Sequence, residues 1–149
     1  MKRLLTPSTE GQIKDIALLL FRFVVGYLLI SQHGFPKLRR LLSDEPVQFF
    51  SYLGMSPEMT MSLPMFAEFF CALLIVFGLF TRFAAIPLII NMAFIVFYVH
   101  GADSIGDREL PILFLISYVL IFFTGPGKYS IDYLLHQRYT DRGKVVAGY

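Results

Sequence analysis

The chain has 149 residues, enough for one domain, and 56% of them are hydrophobic against 16% charged. A soluble globule of this size carries roughly 25% charged residues to cover its wet surface, and 13 basic plus 11 acidic residues fall short of that. Sixteen Phe, eight Tyr, a mean hydropathy of +0.62 and a net charge of only +2 exclude disorder and give no footing for nucleic acid.

The expected fold is all-α: a four-transmembrane-helix bundle with a short interfacial helix in the first extracytoplasmic loop, the whole forming one domain over 1–149. Only helices or closed barrels satisfy the backbone in lipid, and no ten-residue alternation of a barrel is present. A span needs about 20 residues at about 1.5 Å rise each. The first runs from about 16 to 32 and is interrupted by Arg22. In the loop that follows, Ser43-Asp44-Glu45-Pro46 starts the expected interfacial helix, about 44–53, which Gly54 ends. Val47, Phe49, Phe50, Tyr52 and Leu53 would lay it on the membrane surface. Ser56-Pro57-Glu58 reads as an N-cap, a first-turn proline and an acidic residue. The second span, about 59–80, contains Glu68, and the third, about 83–99, contains Asn91. The fourth, about 110–124, stops at Gly125-Pro126-Gly127. Beyond it, Ile131, Leu134 and Leu135 share one face of an amphipathic segment, about 130–139, with Lys128 and Arg138 placed for anionic headgroups.

Basic residues set the expected orientation. Lys2, Arg3, Lys14, Arg82, Lys128, Arg138, Arg142 and Lys144 lie on one side, and Lys37, Arg39, Arg40 and Arg108 on the other. Eight against four places the N- and C-termini in the cytoplasm. No cleaved signal peptide is expected, because the first apolar run starts late, holds an arginine and is not followed by a small-x-small site.

The polar residues inside the spans carry the functional clues. An unpaired charge near mid-membrane costs at least about 2.5–3.5 kcal/mol. Arg22 and Glu68 lie about 12 and 20 Å in from the cytoplasmic ends of their helices, counted at 1.5 Å per residue. They can form a structural clamp, Arg22 can snorkel, or the two can line a ligand pocket. His33, His100 and Glu109 all reach the outer face by topology. Two imidazoles and a carboxylate there can exchange protons, hold a quinone headgroup or ligate a metal, or simply be interfacial residues. No short-spaced ligand pair supports a metal, so none is expected. Asn91 reads as glue between helices. Cys71, the single cysteine, offers neither a disulfide nor CxxC chemistry.

Taken in order, these pieces resemble the DoxX family of small four-helix membrane proteins. They are Arg22, His33-Gly34-Phe35-Pro36-Lys37, Glu68, Gly78-Leu79-Phe80-Thr81-Arg82, His100, Glu109 and Gly125-Pro126-Gly127-Lys128-Tyr129-Ser130-Ile131-Asp132. The resemblance covers roughly 16–132 and implies a bacterial inner-membrane protein linked to redox complexes. Some relatives serve as subunits of thiosulfate:quinone or quinol-oxidising enzymes.

The leading expectation is therefore a redox-associated accessory subunit, at most a part of a quinone-linked oxidoreductase. Arg22 and Glu68 would form its quinone pocket, and His33, His100 and Glu109 would exchange protons. A quinone is the expected cofactor, with none covalently bound. Expected partners are the bilayer, an oxidoreductase subunit and further copies of the chain, without nucleic acid. A non-enzymatic scaffold for another membrane or secreted protein is the alternative, and a small-solute or proton carrier the third.

Overall fold

A computed structural model describes residues 10–52 and 54–146. Lys2 and Arg3 of the basic tail, Leu53 of the expected interfacial helix, and the side chains of Arg142 and Lys144 lie outside what it describes.

Every regular element among the described residues is helical. The first rod is α1 (Glu10–Leu29), a π turn (Ile30–Gly34) and α2 (Phe35–Leu41). The second is α3 (Pro57–Met65), a π turn (Phe66–Cys71) and α4 (Ala72–Phe77). The third joins α5 (Thr81–Phe94) to a π turn (Ile95–Val99), the fourth is α6 (Ile105–Thr124), and α7 (Ile131–Val146) follows. Pro57–Phe77 and Thr81–Val99 are long and apolar enough to cross a membrane. The Ser56 side chain accepts from the Met59 N–H at 3.3 Å, the N-cap its sequence predicts.

Two expectations need correction. The first helix does not end at Gln32 but continues to Leu41. Pro36 lacks an N–H to continue the ladder, yet its fixed φ suits a helix, and the π turn just before it accommodates the missing bond. The interfacial helix over 44–53 is absent: residues 46–52 carry no regular secondary structure and form a strap. Aromatic packing holds the strap in place of helical hydrogen bonds. Tyr52 lies edge-on to both Phe94 and Tyr98 at 5.2 Å, while Phe49 stacks on Phe50 at 4.6 Å.

The rods pack as two pairs, first with second and third with fourth. We call the end with the strap and residues 101–104 the mouth, and the other the base. The pairs join through α4 against α5 and the π turn of Phe66–Cys71 against α5. Ala72, Ile75, Ala85, Leu88, Tyr118 and Ile121 are all but fully buried in that junction. Toward the mouth the pairs diverge, and α3 packs on α2 rather than on the third rod.

Arg22 closes the base. Fully buried, it donates through Nη2 to the Tyr129 carbonyl at 2.7 Å, and its guanidinium lies against Gly78 and Ser130. Gly78 ends α4 with φ +66°, a left-handed conformation, and the guanidinium occupies the space a Cβ would need. Asp132 accepts from Phe80 N (2.7 Å), Thr81 N (2.9 Å) and Thr81 Oγ1 (2.8 Å). Its carboxylate thereby caps α5 from a different segment, and its own N–H donates to the Gly78 carbonyl at 2.9 Å.

Losing a cap costs about 0.5–2 kcal/mol, so Asp132→Ala is expected to lower thermal stability and speed hydrogen exchange along α7. Asp132→Asn, which keeps one acceptor, should fall between it and the parent. Unchanged exchange in α7 for Asp132→Ala would show that the carboxylate does not hold the base.

Candidate functional site

Arg22 and Glu68 do not pair. A helical side chain tilts toward the N-terminus of its own helix. The first and second rods are antiparallel, so Arg22 leans to the base and Glu68 to the mouth, which widens their separation. Arg22 donates to the Tyr129 carbonyl and lines no part of the cavity described next.

Glu68, 1% exposed, finds its cation on the continued first helix. Lys37 Nζ bonds Glu68 Oε2 directly, with the lysine side chain 21% exposed. Asn91 Nδ2 donates to Glu68 Oε1 at 3.0 Å. Two rods of one pair and one of the other thus meet on a single carboxylate. Gly34 makes this possible: a Cβ there would sit 2.5 Å from the Glu68 carbonyl oxygen. The backbones touch at that point, and His33 and Lys37, four apart on one helical face, are brought beside Glu68.

Above the carboxylate lies a cavity of about 860 Å³ between the diverging pairs. Its inner end carries His33, Lys37, Glu68 and Asn91. Its walls are apolar and aromatic, with Phe49, Phe50 and Tyr52 of the strap, Phe94 and Phe114 among them. His33 stands edge-on to Phe114, ring centroids 6.3 Å apart. Small-molecule sites typically run about 300–1,000 Å³, apolar with a few convergent polar groups. Tyr118 packs behind Phe114 with its hydroxyl buried and without a hydrogen-bond partner, close enough to feel the charge of Glu68.

His33 and His100 both line this cavity. His100 Nδ1 also meets Asp103 Oδ2 at 2.7 Å. Glu109 does not line it: the fourth rod turns Asp107, Pro111 and Phe114 inward. Two residues on from Asp107 is about 200° round the helix, so Glu109 faces away and is exposed. Among the described residues, no three His, Cys, Asp or Glu side chains could share a metal ion. Lys37, Asp107 and Tyr118 escape a sequence reading. The i, i+4 spacing of His33 and Lys37 signals their shared face only once the helix is known to pass Pro36.

Breaking a buried ion pair costs about 3–5 kcal/mol, and replacing both partners with apolar residues costs far less. Lys37→Met and Glu68→Leu are each expected to lower thermal stability in lipid nanodiscs, and the double variant to lose less than the sum. The exposed control Glu45→Ala should change stability by under about 0.5 kcal/mol. Additive losses in the double variant would reject the coupling.

The DoxX family model matches residues 17–101, more than half of the chain. That stretch holds Arg22, His33, Lys37, Glu68, Asn91 and His100, and it ends before Glu109. No curated protein and no solved structure gives a significant match. With helices apolar enough to cross a membrane and the family match over most of the first three rods, the chain is a membrane protein that belongs to the DoxX family.

Proposed function

We propose that this protein crosses the bacterial inner membrane four times, with both termini cytoplasmic, and binds quinone as the accessory subunit of a partner oxidoreductase. The observation that carries the reading is the mouth cavity, apolar and aromatic along its walls and polar at its inner end. The donor set suits a quinone ring. Lys37 and His33 can donate to a ring carbonyl, and Asn91, whose NH₂ is used on Glu68, keeps its Oδ1 to accept from a quinol hydroxyl.

A bound quinone supplies a two-electron, two-proton couple, and its electrons must come from or go to the partner, because the chain has no flavin or metal motif. The chain's own residues serve the protons. His33 sits at the inner end and His100 lines the same cavity with Asp103 as its partner, so the two imidazoles can take up or release protons toward the mouth. Glu68 offsets the charge of Lys37 and keeps the inner end near neutral, favouring an uncharged ring over an anion. Arg22, at the base, takes no part. A solute carrier is disfavoured because Ala72, Ile75, Ala85, Leu88 and Ile121 close the bundle below Glu68 with apolar side chains.

The orientation is tested with reporters fused before Met1 and after Tyr149, both expected to read cytoplasmic; periplasmic signals from both reverse the bundle, and one from a single end overturns the four crossings.

Retention of quinone by the purified protein, followed by solvent extraction and mass spectrometry, tests the function. His33→Gln with His100→Gln is expected to leave folding and insertion intact. Quinone-linked turnover with the co-purifying partner should fall about 10²- to 10⁴-fold, as for lost acid–base groups. A fall of less than threefold would make the histidines structural, and the protein would be a scaffold whose polar residues hold the bundle together.

A further inference from the structure

We infer that the mouth cavity opens sideways into the lipid, through the gap between α3 and the Ile95–Val99 turn, and that its ligand is a bilayer-dissolved amphiphile whose long apolar tail lies in that gap. The identification of the head as a quinone ring rests on the preceding proposal; the portal rests on packing.

The two helix pairs part at the mouth half, where α3 leans on α2 and leaves the third rod. Of the lining residues that stand largely open, Leu63 and Phe66 on the second rod and Ile90 on the third, 63% exposed, are apolar and flank the space between those rods, whereas the exposed Asp107 belongs to the mouth end of the fourth rod. These lie within the two segments long and apolar enough to cross a membrane, so the neighbour of the gap is acyl chain rather than water. The side toward the mouth is different. There the strap crosses from the first pair and rests on the third rod, with Tyr52 wedged against Phe94 and Tyr98. Polar groups gather at the inner end, at Glu68, Lys37, Asn91 and His33, while His100 and Asp107 stand at the mouth. A ligand filling this space has one polar end and a tail that exits between the rods.

The cavity volume of about 860 Å³ fits this shape. It lies near the top of the range of about 300–1,000 Å³ for small-molecule sites, and a single ring at the polar end leaves the rest to be filled. A tail gains little by leaving lipid for an apolar gap, since acyl chains are as apolar as Leu. Affinity then comes from the head, while the tail sets the route and confines the ligand to the bilayer.

The chain contains no Trp, so one introduced indole reports alone. Phe114 lines the cavity on the fourth rod and is 8% exposed, so Phe114→Trp places the probe inside. In vesicles of phosphatidylcholine brominated at mid-chain, its emission is expected to fall by more than about half, because acyl chains reach the gap. Aqueous iodide should remove less than about a tenth, because ions do not enter an apolar path. Adding Leu63→Phe and Ile90→Phe, which fill the gap, should restore most of the emission. Phe94→Trp, on the opposite wall, provides the same readout if Phe114→Trp does not fold.

Quenching by iodide would mean entry past the strap, and no quenching by brominated lipid would mean a cavity closed to the bilayer. Either overturns the portal. Brominated-lipid quenching in a protein that retains no quinone would leave the portal standing and dismiss the head group alone.

Discussion

A carboxylate with 1% exposure in the middle of an apolar rod cannot stay charged without partners, and the mouth half of this molecule is arranged around that demand. Lys37 answers the charge, and Asn91 supplies the second hydrogen bond. To deliver Lys37, the first helix has to run past Pro36 to Leu41, and Gly34 has to bring its backbone onto that of Glu68. To deliver Asn91, the third rod has to cross close to the second. Glu68 therefore ties both helix pairs together at the depth where they begin to part, and the cavity above it follows. Removing the carboxylate would remove the floor of the cavity, not only an ion pair.

The second buried charge obeys the same rule at the opposite end. Arg22 leans to the base, where the Tyr129 carbonyl takes one N–H and Asp132 lies near, its carboxylate turned onto the start of α5. Backbone groups that helix ends leave unpaired serve here as partners for buried charge. Base and mouth thus divide the labour. The base uses most of its polar groups on itself, in a network around Gly78, Thr81 and Asp132, with Arg22 Nη1 left buried and unpaired. At the mouth, the Asn91 oxygen keeps hydrogen-bonding capacity in hand beside a hollow space. Free hydrogen-bonding capacity beside a hollow space is where a ligand gains most from binding.

Much was legible before any coordinates. Arg22, Glu68, His33 and His100 stand out in the sequence because polar groups at membrane depth are rare and costly, and all but Arg22 line the cavity. Asn91 was legible as helix glue and is that, bridging the two pairs through Glu68. The Arg22–Glu68 clamp was not, because counting residues from helix ends ignores which way the side chains tilt. Glu109 looked like a member of the mouth cluster from its position in the chain, and the 3.6-residue turn rotates it out while turning Asp107 in.

The sequence alone determined the solvent. Its apolar runs, its sparse charges and the cost of bare backbone in lipid leave helices as the only way to build it, and Ser56 marks a helix start by its own chemistry. Tertiary structure decided everything that depends on direction between segments. Which cation meets Glu68, whether 46–52 coils or stretches as a strap, and where the pairs separate are all set by contacts between residues far apart in the chain. Helix and strand patterns report a residue's neighbours within one element. They carry no information about the antiparallel partner whose orientation sends one buried charge to the base and the other to the mouth.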